Sequence, residues 1–176
     1  VYGALFLSYT DSVIEAMNDR NISIYGHSMN DGSMFATVMK YKSLNFYKQN
    51  PTIRLYTVEG NYEYKIFSVM LINANPLDDK GYVFDITRDS FYYQNEFDSW
   101  INEAYSRSYF NTGVEVTTDD SILTLVTCTN EIKDGRFVVM ARRVRKGEDN
   151  KVDTSVAVKN ENVRYPKSWY DKKGIE

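Results

Sequence analysis

The feature that most limits what this chain can fold into is a pair of long strand-like segments joined by a short turn. "TIRLYTV" (Thr52 to Val58) and "YEYKIFSVMLINA" (Tyr62 to Ala74) flank Glu59-Gly60-Asn61. Both segments are rich in β-branched and aromatic residues, and the turn residues between them complete the signature of a β-hairpin. Strands of this length supply much of a sheet, so the chain reads as mostly β with a few helices.

A second pair lies in "SILTLVTCTNEIKDGRFVVMARRV", from Ser121 to Val144. Ile122 to Val126 and Phe137 to Val144 have strand composition, and Asn130 to Gly135 is turn-like. Cys128 closes the first strand and Arg136 opens the second. If the two pair antiparallel, thiol and guanidinium are neighbours at one end of the sheet, although the spacing alone fixes no register. Cys128 is the only cysteine in the chain. Taken by itself, a free cysteine most often behaves as a small buried apolar side chain. The other reading is a nucleophile, which needs a proton donor for the leaving amine and a donor where an oxyanion develops.

Around these hairpins the pattern is simpler. Ala4 to Tyr9 is a short extended piece followed by a polar turn around Asp11, and "NISIYGHS" alternates as a strand ending near Gly26 and His27. "MNDGSMF" is turn chemistry, and Met34, Phe35, Val38 and Met39 suit a short helix facing a core. Pro51 stops the helical stretch before the first hairpin. Asn75-Pro76 begins a loop, and Tyr82 to Ile86 is a candidate for one more short strand. Phe97, Trp100, Ile101, Ala104 and Tyr105 share one face of an amphipathic helix, with Asn95 and Asp98 as a capping-box-like start; Gly113 suits the end of the linker after it. Tyr165, Trp169 and Tyr170 in "RYPKSWYDKK" are placed to clip the tail back onto the body. No repeat, low-complexity tract or dividing linker is present, so residues 1–176 read as one domain.

Composition narrows the function classes. The chain carries 21 basic and 24 acidic side chains, a formal net charge of -3, which gives no general attraction to nucleic acid or anionic lipid. The run "RRVRK" (Arg142 to Lys146) does not read as a phosphate site, because strand alternation splits it between two faces and Glu148 and Asp149 follow. A single cysteine and a single histidine exclude a disulfide and the usual zinc and imidazole clusters, so neither metal nor other cofactor is expected. No segment approaches the ~18 apolar residues of a membrane span. The start, "VYGALFLSYT", lacks an initiator methionine and suggests a longer parent protein. The sequon at Asn21 falls in a strand and is discounted.

Cys128, His27 and Arg136 could together fill the three roles of cysteine-based acyl transfer. His27 follows Gly26 at a strand end, where an imidazole projects from a rim. "YGHSMNDGSMF" (Tyr25 to Phe35), "TLVTC" (Thr124 to Cys128) and the arginine opening the next strand together resemble the sortase family of cysteine transpeptidases. The helix at Asp98 to Arg107 before the cysteine strand, the wording "GHSMNDGSMF" and the ending "RYPKSWYDKK" resemble class B most closely, so the likeness covers essentially the whole chain. One departure is Ser8, where class B members usually carry an aspartate after the "LF-L" segment.

The resemblance implies a sortase-type closed or semi-open β-barrel, roughly eight strands in the complete domain, with peripheral helices that include a class B-like helix before the cysteine strand. It implies His27, Cys128 and Arg136 as catalytic residues, with Thr127 and the loop from Ser106 to Val116 as places to look for substrate contacts. The implied reaction cleaves a C-terminal sorting signal of NPxT or related type after Thr, holds the surface protein as a thioacyl enzyme, and joins it to a peptidoglycan amine or, in a polymerising enzyme, a pilin lysine. A cysteine hydrolase with the same triad, or a non-catalytic binding module, are the alternatives. The implied enzyme is a monomer at the extracellular face of a Gram-positive plasma membrane, held by an N-terminal anchor that, with a helical region and a first strand, would precede Val1.

Overall fold

The computed structural model describes residues 4–8, 20–29, 31–77 and 81–175. The turn expected around Asp11 and the single position Asn30 lie outside the described residues. Six strands form one curled half-barrel sheet: β1 (Phe6–Leu7), β2 (Asn21–Tyr25), β3 (Thr52–Thr57), β4 (Gly60–Asn73), β6 (Ile122–Cys128) and β7 (Gly135–Arg143), in the order β1-β2-β6-β7-β4-β3. Two short strands, β5 (Phe110–Asn111) and β8 (Val158–Lys159), pair separately. Among the described residues three α-helices accompany them: α1 (Leu44–Gln49), α2 (Gln94–Arg107) and α3 (Lys167–Lys173). A 3-10 helix over Phe35–Lys42 precedes α1. Among the described residues no helix is long and apolar enough to cross a membrane.

The sheet is buried on both faces, which is why "FVVMA" in β7 is a continuous apolar run. Phe137, Val139 and Ala141 face one core with Val38, Tyr41 and Tyr47. Val138 and Met140 face the other, where α2 contributes Phe97, Trp100, Ile101 and Ala104. A bulge in β4 between Ile66 and Ser68 adds one residue against β7. It turns Phe67 into the α2 core, and Ser68 Oγ donates to the Ala104 carbonyl at 2.7 Å.

Every ladder in the main sheet is antiparallel except one: β2 runs parallel to β6, with Asn21 opposite Ile122 and Tyr25 opposite Val126. Asn21 is fully buried and pins this pair. Its Nδ2 donates to the carbonyls of Ile86 (2.8 Å) and Arg88 (3.2 Å), and its Oδ1 accepts from Thr124 Oγ1 on β6 at 2.7 Å. An asparagine in this position is satisfied on both ends of its amide and is not available as a sequon.

Three local expectations are corrected. The hairpin turn is Val58-Glu59, since Thr57 already pairs with Gly60. Thr57 Oγ1 accepts from the N–H groups of Glu59 and Gly60, both at 3.2 Å, and so closes the turn before Asn61 is reached. The Asn95–Asp98 capping box does not form. The helix begins at Gln94 with Tyr93 as its N-cap, so Asn95 is already inside the first turn, and Glu96 instead accepts from the Tyr92 N–H at 3.0 Å. Tyr82 to Ile86 is not a strand: its carbonyls go to side chains, Trp100 Nε1 to Asp85 O at 2.6 Å and Asn21 to Ile86 O, while Phe84 and Ile86 enter the α2 core.

The "RRVRK" run is absorbed by structure. Lys65 and Arg142 are directly opposite on β4 and β7 and both are buried, an arrangement of like charges that costs stability unless neutralised. Glu148 supplies the anion. Its carboxylate accepts from Lys65 Nζ (2.8 Å) and, in a fork, from both terminal nitrogens of Arg142 (2.6 and 2.7 Å). Arg145 pairs with Asp120, and Arg143 lies over the Tyr62 ring at 4.0 Å. At the C-terminus Tyr165 stacks on Trp169 with centroids 3.9 Å apart and meets Tyr109 at 5.8 Å, so the tail is clipped back as its aromatics suggested.

Two outcomes follow from these buried polar anchors. Asn21→Ala leaves the Thr124 hydroxyl buried without its acceptor and the Ile86 carbonyl with only its longer bond, from Ser23 Oγ at 3.2 Å, and is expected to lower unfolding free energy by about 1–3 kcal/mol, read from urea midpoints at unchanged slope. Glu148 is held well below the usual carboxylate range, first by the Arg142 fork, which outweighs the opposing effect of burial, then by Lys65 and the Arg145 N–H. A depressed carboxylate stabilises above its unfolded value of ~4.3 and loses that contribution as pH falls toward the folded value. Glu148→Gln is therefore expected to cost about 2 kcal/mol at neutral pH, with the gap to the native protein constant down to about pH 5 and narrowing below it.

Candidate active site

β6 lies between β2 and β7, and the site is built where these three strands end together. Cys128 is the last residue of β6 and is directly opposite Arg136, the second residue of β7. The Thr129 N–H donates to the Gly135 carbonyl at 3.1 Å, the bond that brackets a narrow, non-hydrogen-bonded pair. Such pairs hold opposing Cα atoms about 4.5 Å apart with side chains on one face. The register that spacing alone could not fix thus makes thiol and guanidinium neighbours. Cys128 is exposed, so the reading of it as a small buried side chain is overturned: the α2 core closes over Val126 and ends before the last residue of the strand.

Arg136 is half-buried and donates from one terminal nitrogen to the Gly135 carbonyl at 3.0 Å. With Cys128, Thr129, Asn130, Asp134 and Lys172 it lines an open depression of about 420 Å³. The loop that forms the wall is tightly fixed. Gly135 has no room for a side chain, because a Cβ would come within 2.9 Å of Ile132 Cγ1. The Ala74 N–H donates to the Asp134 carbonyl at 3.0 Å, Asn75 Nδ2 donates to Asp134 Oδ2 at 3.3 Å, and Glu131 pairs with Lys42.

His27 reaches the same end from the other neighbour of β6. The Gly26 N–H donates to the Val126 carbonyl at 3.0 Å, so the parallel ladder runs one step beyond Tyr25. His27 follows Gly26, two residues past the last paired position of β2. Gly26 is required here, since a Cβ would meet Leu5 Cδ2 at 2.5 Å and Phe35 Cγ at 2.7 Å. Beyond it the chain turns: the Phe35 N–H donates to the His27 carbonyl at 2.9 Å, and Ser28 bridges Met34. Asp31 closes the turn by accepting from Ser33 N (2.9 Å) and Oγ (2.6 Å), bonds that hold its carboxyl below the ordinary value. His27 is left exposed on the β2 side and does not line the depression shared by Cys128 and Arg136.

Thr127 is elsewhere. Alternation sends its side chain to the opposite face, level with Phe137, where it is buried and its Oγ1 has no hydrogen-bond partner among the described residues. The segment Ser106 to Val116 also lies outside the depression and is occupied structurally, with Thr112 Oγ1 donating to the Phe67 carbonyl and Tyr105 donating to the Val114 carbonyl. Lys172, on α3, is the residue of the depression that sequence reasoning missed. It donates from Nζ to the Glu131 carbonyl at 2.5 Å. Nothing in a lysine-rich tail helix signals that it returns to a strand end so far back in the chain.

A family model described as the sortase domain matches residues 2–144. Sortase B of Listeria monocytogenes is 31% identical over 152 residues, a match covering 82% of this chain and 55% of that protein. The crystal structure of Clostridium perfringens sortase B superposes with a TM-score of 0.69 at 29% identity, covering 81% of this chain and 74% of that one. A substrate complex of Staphylococcus aureus sortase B gives a TM-score of 0.68 at 25% identity, covering 82% and 63%. The chain spans about 55% of the length of the curated relatives it matches. A sortase-domain match across most of its length and the likeness to sortase B structures establish that this chain belongs to the sortase family, with the fold of its class B members.

Proposed function

We propose that this chain is the catalytic part of a cysteine transpeptidase that acts on C-terminal sorting signals of the NPxT type. The observation that carries this reading is the strand-end arrangement: the sole cysteine, exposed, in a narrow pair with an arginine, and the sole histidine two residues past the end of β2, the strand on the other side. Family membership supports the reaction class, and the class B relatives support the type of signal.

The Cys128 thiolate attacks the carbonyl carbon of the signal's threonine, and the carbonyl electrons move onto oxygen. Arg136 donates to that oxyanion or to the adjoining substrate backbone, a role that a half-buried guanidinium beside the nucleophile can fill. His27, as imidazolium, gives its proton to the departing amine as the C–N bond breaks, leaving a thioester on Cys128 and a neutral imidazole. An acceptor amine of the cell wall then attacks the thioester while His27 takes up its proton, the new amide forms, and the thiolate leaves. The partners are therefore a surface protein bearing the signal and a peptidoglycan amine. The site of action is the outer face of a Gram-positive plasma membrane.

Mass spectrometry of the protein incubated with NPxT-type and LPxTG-type peptides, with and without an amine acceptor, is the test. The expected result is an acyl adduct on the native chain with NPxT-type peptide, converted to an amine-ligated product and missing in Cys128→Ala. An adduct that persists in Cys128→Ala, or none with any peptide on folded protein, overturns the reading; release only to water with acceptor present replaces it with a hydrolase. Arg136→Lys keeps the charge but loses the planar fork, and is expected to lower kcat/KM by roughly 10²–10³ while leaving the thermal midpoint near that of the native protein.

A further inference from the structure

Two lysines from outside the sheet converge on one residue of the loop between Cys128 and Arg136. That residue is Glu131: its carboxylate pairs with Lys42, the last residue of the 3-10 helix, and its carbonyl accepts from Lys172 of α3. Glu131 does not itself line the depression that holds Cys128. It is nevertheless connected to the arginine there. Arg136 donates to the Gly135 carbonyl, which also accepts from the Thr129 N–H at 3.1 Å, and Thr129 Oγ1 accepts from the Glu131 N–H at 3.4 Å. A continuous set of hydrogen bonds therefore leads from the guanidinium through Thr129 to Glu131.

Both partners of Glu131 are anchored independently of the loop. The 3-10 helix buries Phe35, Val38 and Tyr41, and its first N–H, from Phe35, donates to the His27 carbonyl at 2.9 Å. One short helix thus reaches from the backbone of His27 to the loop that joins Cys128 to Arg136. Lys42 also rests 5.6 Å from the ring of Phe137, the residue after Arg136. α3 is fixed through Ser168, which accepts at 3.0 Å from Nδ2 of Asn73, the β4 residue opposite Gly135, and through the Tyr165–Trp169 stack. Near Gly135 the loop is held by Ala74 and Asn75; nearer Cys128, Glu131 supplies the corresponding hold. We propose that Glu131 is a positioning residue, which clamps this loop between the 3-10 helix and the tail helix and so fixes the Arg136 guanidinium beside Cys128. This rests on the transpeptidase reading above, in which Arg136 stabilises the oxyanion, and displacing such a group by even about 1 Å lowers the rate.

The test is a double-mutant cycle on transfer of an NPxT-type peptide to an amine acceptor. Both side chains of the Glu131–Lys42 pair are partly exposed, so Glu131→Gln is expected to lower kcat by about two- to fivefold, the range of an exposed ion pair, with KM near native. Lys42→Met is expected to match it, and the two together to cost no more than either alone. Reversing the pair, Glu131→Lys with Lys42→Glu, is expected to return kcat to within about twofold of native. In an Arg136→Lys background, Glu131→Gln is expected to cost nothing further, because the group it positions is gone. A loss of the same size in that background, a loss carried by KM, or native kcat in Glu131→Gln overturns the proposal. The NMR signal of the Arg136 Nε–H reads the placement without turnover. It is expected to shift or broaden in Glu131→Gln and Lys42→Met and to stay unchanged in Glu59→Gln, which removes an exposed carboxylate from the far hairpin turn; an unchanged signal in the first two overturns the role of Glu131. If the native protein forms no acyl enzyme, a shifted signal still supports that role, while the missing adduct counts against the reaction itself.

Discussion

The parallel pairing of β2 with β6 is the constraint on which the rest of the structure depends. Antiparallel neighbours can be joined by a tight turn, and β3–β4 and β6–β7 are joined by short connections. A parallel pair has no such shortcut, so everything from Gly26 to Ser121 must leave one end of β2 and return to the other end of the sheet before β6 can form. That excursion contains the 3-10 helix, the long hairpin and α2, which together cover both faces of the sheet. The register of this one pair also decides chemistry. A slip of one residue would turn every side chain of β2 to the other face and shift the end of the strand, with His27 beyond it, relative to Cys128. Asn21, which ties β2 to Thr124 and to the Ile86 and Arg88 carbonyls, makes that slip expensive, since the buried amide and hydroxyl would both lose their partners.

Burial on two faces explains how the same strands can be so apolar and still carry charge. Most of β4 and β7 is inaccessible, and their two buried charges, Lys65 and Arg142, sit opposite one another near the end remote from Cys128. Two cations taken out of water side by side would open the sheet there. Glu148 returns from the loop after β7 to accept from both, and its fork to Arg142 fixes where that loop lies. The far end of the sheet is thereby locked by electrostatics, while the active end is left open. A sheet rigid at one end can hold the exposed Cys128 and the half-buried Arg136 in fixed relation at the other.

Legibility in the sequence followed the range of the interactions concerned. The two hairpins, the amphipathic stripe of α2 and the tail aromatics were readable because each is a local pattern whose apolar residues pack as their spacing dictates. The turn at Val58-Glu59 and the start of α2 were missed by one or two residues, because a Thr57 hydroxyl and a Glu96 carboxylate took over the bonds assigned to their neighbours. Tyr82 to Ile86 has strand composition but no strand beside it; side chains of Asn21 and Trp100 satisfy its carbonyls instead. For the site, motif wording brought His27, Cys128 and Arg136 to attention, whereas only the register shows that one is a narrow cross-strand pair. Thr127 illustrates the opposite failure. Adjacency in sequence suggested a shared site, and strand alternation forbids it.

The two glycines next to the site show why it can sit only at this rim. Gly26 lets the chain after β2 run tight against Leu5 and Phe35 up to the point where His27 departs, and Gly135, the first residue of β7, lets the loop after Cys128 fold onto Ile132. Each removes a side chain where the backbone must approach a neighbour closely, so the two strands that flank Cys128 are held at the same level as it. Remove either close approach and the end of one flanking strand must lift, carrying His27 or Arg136 away from a thiol that is fixed by β6. The wall of the depression is then completed from outside the sheet by Lys172, which donates to the Glu131 carbonyl. The site is thus assembled from four separate stretches of chain, and what aligns them is the backbone geometry of three strand ends, with the reactive side chains free to face solvent and substrate.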